Sequence, residues 1–143
     1  MITEEQIILI KKTWRALRDV NPEVIGSAFY GKLFTDTPSL RRMFLSKMDE
    51  QYKKLMDMLS TIVARLDKLD ELAPEIAAMA QRHVEYGVKP EQYAKVGEAL
   101  LWTLQQGLGK DWNEEVSAAW LACYTMLADT MINASSQKQT IHS

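Results

Sequence analysis

Apolar residues recur along this chain at intervals of three and four, the spacing that gathers side chains on one face of a helix. Ile7, Ile10, Trp14 and Leu17 form the first such stripe. Ahead of it, Thr3-Glu4-Glu5-Gln6 reads as a capping box, with Thr3 as N-cap and Gln6 reaching back. Asn21-Pro22 starts a second helix, an N-cap followed by proline at the first helical position. That helix is expected to run to about Phe34, with Ile25, Phe29 and Leu33 on one face. Asp36-Thr37-Pro38 breaks it and begins a short helical turn ending near Phe44, and Ser46 to Asp49 reads as a polar loop. From about Asp49 to Leu66 the register is helical again through Leu55, Leu59, Ile62 and Leu66, with Asp67 to Glu71 as a charged corner.

The next stripe differs from the others. Leu72, Ile76, Met79 and His83 are spaced four, three and four apart on a helix with Pro74 near its start, so an imidazole lies in line with apolar side chains. Gly87 offers a stop to that helix and Pro90 a start to a long one, in which Tyr93, Val96, Leu100, Leu104 and Leu108 face inward and Gly107 and Gly109 form the end. Asn113 caps a last helix with Val116, Trp120, Cys123, Leu127 and Met131 on its apolar side. Alternating strand patterns of useful length, internal repeats and inter-domain linkers are all missing. The pattern predicts an all-α fold of six or seven helices in one domain, residues 1–133, with the polar, aperiodic stretch 134–143 a disordered tail.

Composition narrows this further. A chain of 143 residues is one domain in size, and can bury about two-thirds of the surface its unfolded form exposes. The formal net charge is −2 with the signs interspersed, so neither a nucleic-acid footprint nor a polybasic membrane surface is expected. The single cysteine, Cys123, excludes an internal disulfide and fits a reducing compartment; on the inner side of the last helix it reads as a small core residue. The N-terminal Met-Ile-Thr-Glu-Glu-Gln has neither basic nor apolar region of a signal peptide, and no apolar run approaches the roughly 18 residues of a membrane span. A cytoplasmic protein is expected.

An imidazole on a buried helix face is either a satisfied core histidine or a ligand aimed into a cavity. Three residues on other segments bear on that choice, and each has an ordinary reading by itself. Tyr30 lies beside the apolar stripe of the second helix, where packing is the usual role. Phe44 follows a proline-started turn, and Gln51 lies one turn before Leu55 on its helix.

Taken together these residues, in this order and spacing, resemble the globin family over nearly the whole chain, from Glu4 to about Ile132. The resemblance rests on Lys11-Lys12-Thr13-Trp14, on Phe29-Tyr30 with Pro38 eight residues after the tyrosine, and on Phe44 six residues after that proline. It continues through Gln51 and Leu55, His83, Lys89-Pro90-Glu91-Gln92-Tyr93 and Val96-Gly97-Glu98-Ala99-Leu100-Leu101. The chain is most similar to bacterial single-domain globins and the haem domain of flavohaemoglobins, with a neuroglobin-like stretch from Leu101 to Trp120.

The resemblance implies a haem b (iron protoporphyrin IX) cofactor and assigns roles residue by residue. His83 resembles the proximal iron ligand, its other nitrogen donating to a carbonyl or side chain. Phe44 resembles the phenylalanine that stacks on the porphyrin. Tyr30 and Gln51 match a distal hydrogen-bond pair, and Leu55 would set the steric ceiling above the iron. Met79, Val88, Tyr93 and Val96 would line the ring, with Lys54 and Arg82 near the propionates.

Two departures limit the transfer of roles. In flavohaemoglobins the proximal histidine belongs to a network with a tyrosine and a glutamate; Tyr93 is in place, but the glutamate position falls at about Ser135. The chain also ends where the flavin and nicotinamide domains would begin, and it carries no Gly-rich dinucleotide motif, so redox turnover would need a separate reductase. Gln51 stands where six-coordinate globins have a histidine and the only other imidazole is His142, so bis-histidyl coordination is not expected.

The implied function is reversible binding of dioxygen, and of other diatomic gases such as nitric oxide and carbon monoxide, at a five-coordinate haem iron. The alternative is nitric oxide dioxygenation with an external reductase; a haem-based gas sensor ranks third, since such globins usually carry an output domain. Neither a nucleic-acid partner nor a membrane span is expected, and the protein would be a monomer or weak homodimer. Trp102 and Trp112 are candidates for partial exposure.

Overall fold

Capping chemistry starts the first helix where the sequence places it. The Thr3 hydroxyl accepts from the Gln6 N–H at 3.1 Å while the Gln6 amide oxygen accepts from the Thr3 N–H at 3.0 Å, and α1 (Glu4–Leu17) follows. The structure, a computed structural model, describes residues 2–44, 47–85 and 88–142, with the backbone alone at 70, 85 and 135–142. Helix α2 (Pro22–Asp36) opens on Asn21, whose side chain accepts from the Glu23 N–H at 2.9 Å. It runs two residues past Phe34, and its last backbone bond, from Thr37 N–H to the Leu33 carbonyl at 2.8 Å, is made just before Pro38. A 3-10 segment, Pro38–Met43, carries the chain to Phe44.

Helix α3 (Met48–Ala64) is followed by a second 3-10 segment, Leu66–Leu72, kinked at Lys68, in place of the charged corner. Helix α4 (Ala73–Glu85) holds His83. The expected start of the next helix at Pro90 is corrected: α5 (Gln92–Leu108) begins two residues later. Pro90 lies in a turn closed by Gln92 N–H to the Lys89 carbonyl at 2.9 Å and Tyr93 N–H to the Pro90 carbonyl at 3.2 Å. Of the two glycines expected at its end, Gly107 is helical, while Gly109 caps the helix at φ 53°, a conformation that suits a residue without a Cβ. After a third 3-10 segment, Gly109–Asp111, Asn113 accepts from the Val116 N–H at 2.9 Å and α6 (Glu114–His142) begins. The expected stop at Gly87 and loop residue Ser46 lie outside the described residues. The backbone from 134 onward continues α6, and the side chains from Ser135 to Ser143 lie outside the description.

Among the described residues the elements are six α-helices and three 3-10 segments, with no strand. The closely packed pairs include α2 on α3, α2 on α5, α4 on α6 and α1 on α6; α3 and α4 are not one of them. Accordingly the core divides into two clusters. The larger draws on α1, α2, α3, α5 and the first half of α6, including Ile10, Leu33 and Leu104, which are fully buried. Burial of each such side chain contributes about 1.5–3 kcal/mol. The smaller cluster joins Leu72, Ile76 and Ala80 to Tyr93, Ala128 and Met131, and so ties α4 to the second half of α6.

Polar atoms within the larger cluster are paired. The Trp120 indole N–H donates to the Thr13 hydroxyl at 2.9 Å, which itself donates to the Leu9 carbonyl at 2.8 Å. The Trp14 indole donates to the Ser60 hydroxyl at 3.2 Å, and the two indole rings lie 6.2 Å apart. Two glycines admit aromatic rings between helices. A Cβ on Gly26 would overlap the Tyr52 side chain, and one on Gly97 would lie 2.6 Å from the Tyr124 ring. Trp102 is 36% exposed, with the Lys32 ammonium 5.5 Å from its ring centre, and Trp112 is half-buried.

Candidate functional site

Helices α3 and α4 are not among the closely packed pairs, and a cleft there is lined from α3 by Asp57, Met58, Thr61 and Ile62, from α4 by Glu75, Ile76, Met79 and Arg82, and by Leu72. His83 follows Arg82 on the α4 side and is half-buried. Its Nδ1 lies 2.7 Å from the Met79 carbonyl one turn earlier. A carbonyl oxygen only accepts, so Nδ1 carries the proton and the lone pair of the neutral ring is left on Nε2. Burial holds the imidazole below its ordinary pKa; the Met79 hydrogen bond opposes that shift and the neighbouring Arg82 charge adds to it. The ring is therefore a neutral, oriented Lewis base at pH 7.

Tyr93 comes up beside this ring from the start of α5, with centroids 6.4 Å apart and 29° between planes. Its backbone is tied down by the Tyr124 hydroxyl of α6, which donates to the Tyr93 carbonyl at 2.6 Å. Burial raises the phenol pKa of both tyrosines. Val88 donates from its N–H to the His83 carbonyl at 3.0 Å and packs on the smaller core cluster, closing the end of α4.

The second aromatic group belongs to α2 and its surroundings. Tyr30 is 7% exposed and sits among Phe29 at 4.8 Å, Phe44 at 5.2 Å, and Phe34 and Tyr52 at 5.8 Å. Phe44 is carried there by the 3-10 segment, where the Arg41 guanidinium donates to its carbonyl at 3.0 Å and the Phe44 N–H donates to the Arg41 carbonyl at 3.2 Å. Burial first, and the neighbouring Tyr52 phenol second, push the Tyr30 pKa up to about 12. Its hydroxyl therefore stays protonated, and a hydrogen-bond donor, across the physiological range.

Gln51 is half-buried and Leu55 buried one turn later on α3; Val96 on α5 is half-buried against the larger cluster. The two cations differ. Arg82 is exposed at the cleft and lines it, whereas Lys54 is exposed and is not among the lining residues. Sequence reading passed over Tyr52, Met58, Ile62 and Ile76 as site residues. For Met58 and Ile62 the signal was available, since they follow Leu55 by three and seven positions and so share its face. The glutamate position near Ser135 falls on side chains outside the description.

The residues present fit a haem. Among the described residues no group of three or more histidine, cysteine or acidic side chains is placed to hold a metal ion, so a metal at His83 must take most of its donors from a non-protein group. One neutral imidazole with Nδ1 held by the Met79 carbonyl, beside a cleft of mainly apolar walls whose rim carries Arg82 together with Asp57 and Glu75, meets that requirement.

Comparison with known proteins agrees. The globin family model matches residues 27–131. A globin-like protein of Aquifex aeolicus is 36% identical over 132 residues, covering 92% of this chain and 93% of that one. A flavohemoprotein of Oceanobacillus iheyensis is 31% identical over 136 residues; the match takes in 89% of this chain but only 34% of the relative, so the chain spans about a third of the flavohemoprotein length. In three dimensions the chain superposes on a bacterial globin from Campylobacter jejuni with a TM-score of 0.82 at 27% identity, covering 96% of this chain and 99% of that one. An engineered carbene transferase from Rhodothermus marinus, described as a candidate nitric oxide dioxygenase, superposes with a TM-score of 0.88 at 25% identity, covering 99% and 98%.

Among the described residues this is an all-helical protein whose neighbours of known structure are bacterial globins. The chain belongs to the globin family, and that membership supports haem-based binding of a gas. No helix among the described residues is long and apolar enough to cross a membrane.

Proposed function

We propose that this chain holds haem b through His83 and binds dioxygen reversibly. The observation that supports this most is the His83 ring itself, neutral, half-buried, and oriented by the 2.7 Å contact of Nδ1 with the Met79 carbonyl. Haem, when bound, supplies a redox-active iron with an open position for a diatomic gas. Tyr30 and Gln51 would donate hydrogen bonds to the bound gas, and Leu55 would limit its size. Phe44 would pack on the haem and help exclude water. Met79, Val88, Tyr93 and Val96 would complete the apolar lining, and Arg82 and Lys54 would pair with the propionates. Residues 1–133 make up the globin domain, with 134–143 a tail outside it.

The first observation to seek is the absorption spectrum of the purified protein as expressed, after reduction, and after exposure to air. A five-coordinate reduced spectrum that converts in air to a stable gas-bound form supports this reading; immediate oxidation to the ferric form refutes reversible binding.

A second reading, nitric oxide dioxygenation, is favoured by the similarity to flavohemoproteins and to the Rhodothermus marinus protein. It requires a reductant for the iron, and it is tested by nitrate formation from nitric oxide in air with NADH and a cell extract. The single cysteine, Cys123, is buried, and a chain without an internal disulfide fits a cytoplasmic setting.

A further inference from the structure

Among the described residues the Tyr30 ring has four aromatic neighbours, two of them outside its own helix. Phe29 and Phe34 belong to α2 and move with Tyr30. Phe44 meets it edge-on, at 70° between planes. Tyr52 of α3 lies across it at 30° between planes and 5.8 Å between centroids, so it restricts tilt of the ring out of its own plane.

What holds Tyr52 in that place is a missing side chain. Gly26 and Tyr30 are one turn apart and share a face of α2. The Tyr52 side chain occupies the volume in which a Cβ on residue 26 would stand, its own Cβ, Cγ and Cδ1 all in contact range. From this seat on the α2 backbone the ring extends along the helix face toward Tyr30. Tyr52 also follows Gln51 directly on α3.

We propose that Tyr52 is a positioning residue for Tyr30: seated in the gap at Gly26, its ring sets the direction of the Tyr30 hydroxyl. The inference rests on the reading of Tyr30 as a donor to bound gas. It matters because a hydrogen bond weakens steeply as its angle closes, so a modest tilt of the ring is enough to lose it. The proposed role needs a planar ring at position 52 and does not need the Tyr52 hydroxyl.

The test uses haem-loaded protein and compares Tyr52→Phe, Tyr52→Leu, Tyr30→Phe and the double variant Tyr30→Phe/Tyr52→Leu. Dioxygen dissociation rate, the carbon monoxide stretching band, and the Tyr30 ring resonances of the carbon monoxide form are recorded. Tyr52→Phe is expected to stay within two-fold of the parent. Tyr52→Leu is expected to release dioxygen at least five-fold faster, to move the stretching band toward that of Tyr30→Phe, and to add nothing in the Tyr30→Phe background. If Tyr30→Phe releases dioxygen fast while Tyr52→Leu leaves rate and band unchanged, the positioning role is overturned and the dioxygen reading stands. If Tyr30→Phe itself has no effect, the donor reading falls, and unmoved Tyr30 resonances in Tyr52→Leu overturn the positioning role as well. Gly26→Ala displaces the base of Tyr52 with both phenols retained, and repeats the test should Tyr52→Leu not fold.

Discussion

Replacing Tyr30 with phenylalanine removes one hydroxyl from a ring that stays packed. The ring is 7% exposed and braced by Phe29, Phe34, Phe44 and Tyr52, so the substitution deletes the donor without opening a cavity the size of a side chain. A hydrogen bond to an acceptor carrying charge is worth about 1.5–3 kcal/mol, which corresponds to about 10- to 150-fold in a rate constant. Stopped-flow displacement of dioxygen by carbon monoxide should show the off-rate rising by that factor, with haem content unchanged. The same substitution has a pH signature. With its pKa pushed up to about 12, Tyr30 remains protonated where an ordinary phenol ionises near 10, so the off-rate should be flat up to about pH 10.

For stability the sign is set by linkage. Between pH 10 and 12 the unfolded chain gives up this proton before the folded one does, so unfolding becomes easier as pH rises. Two pKa units correspond to about 2.7 kcal/mol as an upper scale for that loss, and Tyr30→Phe should remove it from the alkaline slope. An off-rate changed by less than three-fold, or an alkaline slope identical to the parent's, would refute the placement of a buried donor at Tyr30.

Thr13→Val keeps the shape at that position but leaves the Trp120 indole N–H buried without its 2.9 Å partner; urea unfolding should show a loss of about 1–3 kcal/mol. Gly97→Ala puts a methyl 2.6 Å from the Tyr124 ring, which its hydrogen bond to the Tyr93 carbonyl holds in place, so about 1–3 kcal/mol should be lost in thermal unfolding. An unchanged melting temperature would show that the ring yields. Ending the chain after Ala134 should leave haem retention intact, as measured by transfer to an apoprotein acceptor.

Much of the fold was written in local chemistry. The Thr3 and Asn113 caps, the Asn21-Pro22 start and the apolar stripes are properties of a few neighbouring residues, and they survive in the structure unchanged. Boundaries that depend on a turn read less well: Pro90 served as a turn residue and the helix began at Gln92, since proline suits both places. His83 stood out because an imidazole interrupts an apolar stripe. Tyr52 did not, because its importance comes from the absence of a side chain at Gly26, twenty-six positions earlier on another helix. The cleft was equally hidden. It exists because α4 packs on α6 and not on α3, a tertiary choice that the periodicity of either helix leaves open.

The central claim is that His83, with Nδ1 held by the Met79 carbonyl, is the protein's ligand to haem iron. The most direct measurement is the absorption spectrum of His83→Ala beside the parent, purified identically and each supplied with one equivalent of haem. The account predicts a Soret band and a five-coordinate reduced spectrum for the parent, loss of both in His83→Ala, and partial recovery on adding imidazole. A parent-like haem spectrum in His83→Ala, without imidazole, would contradict it.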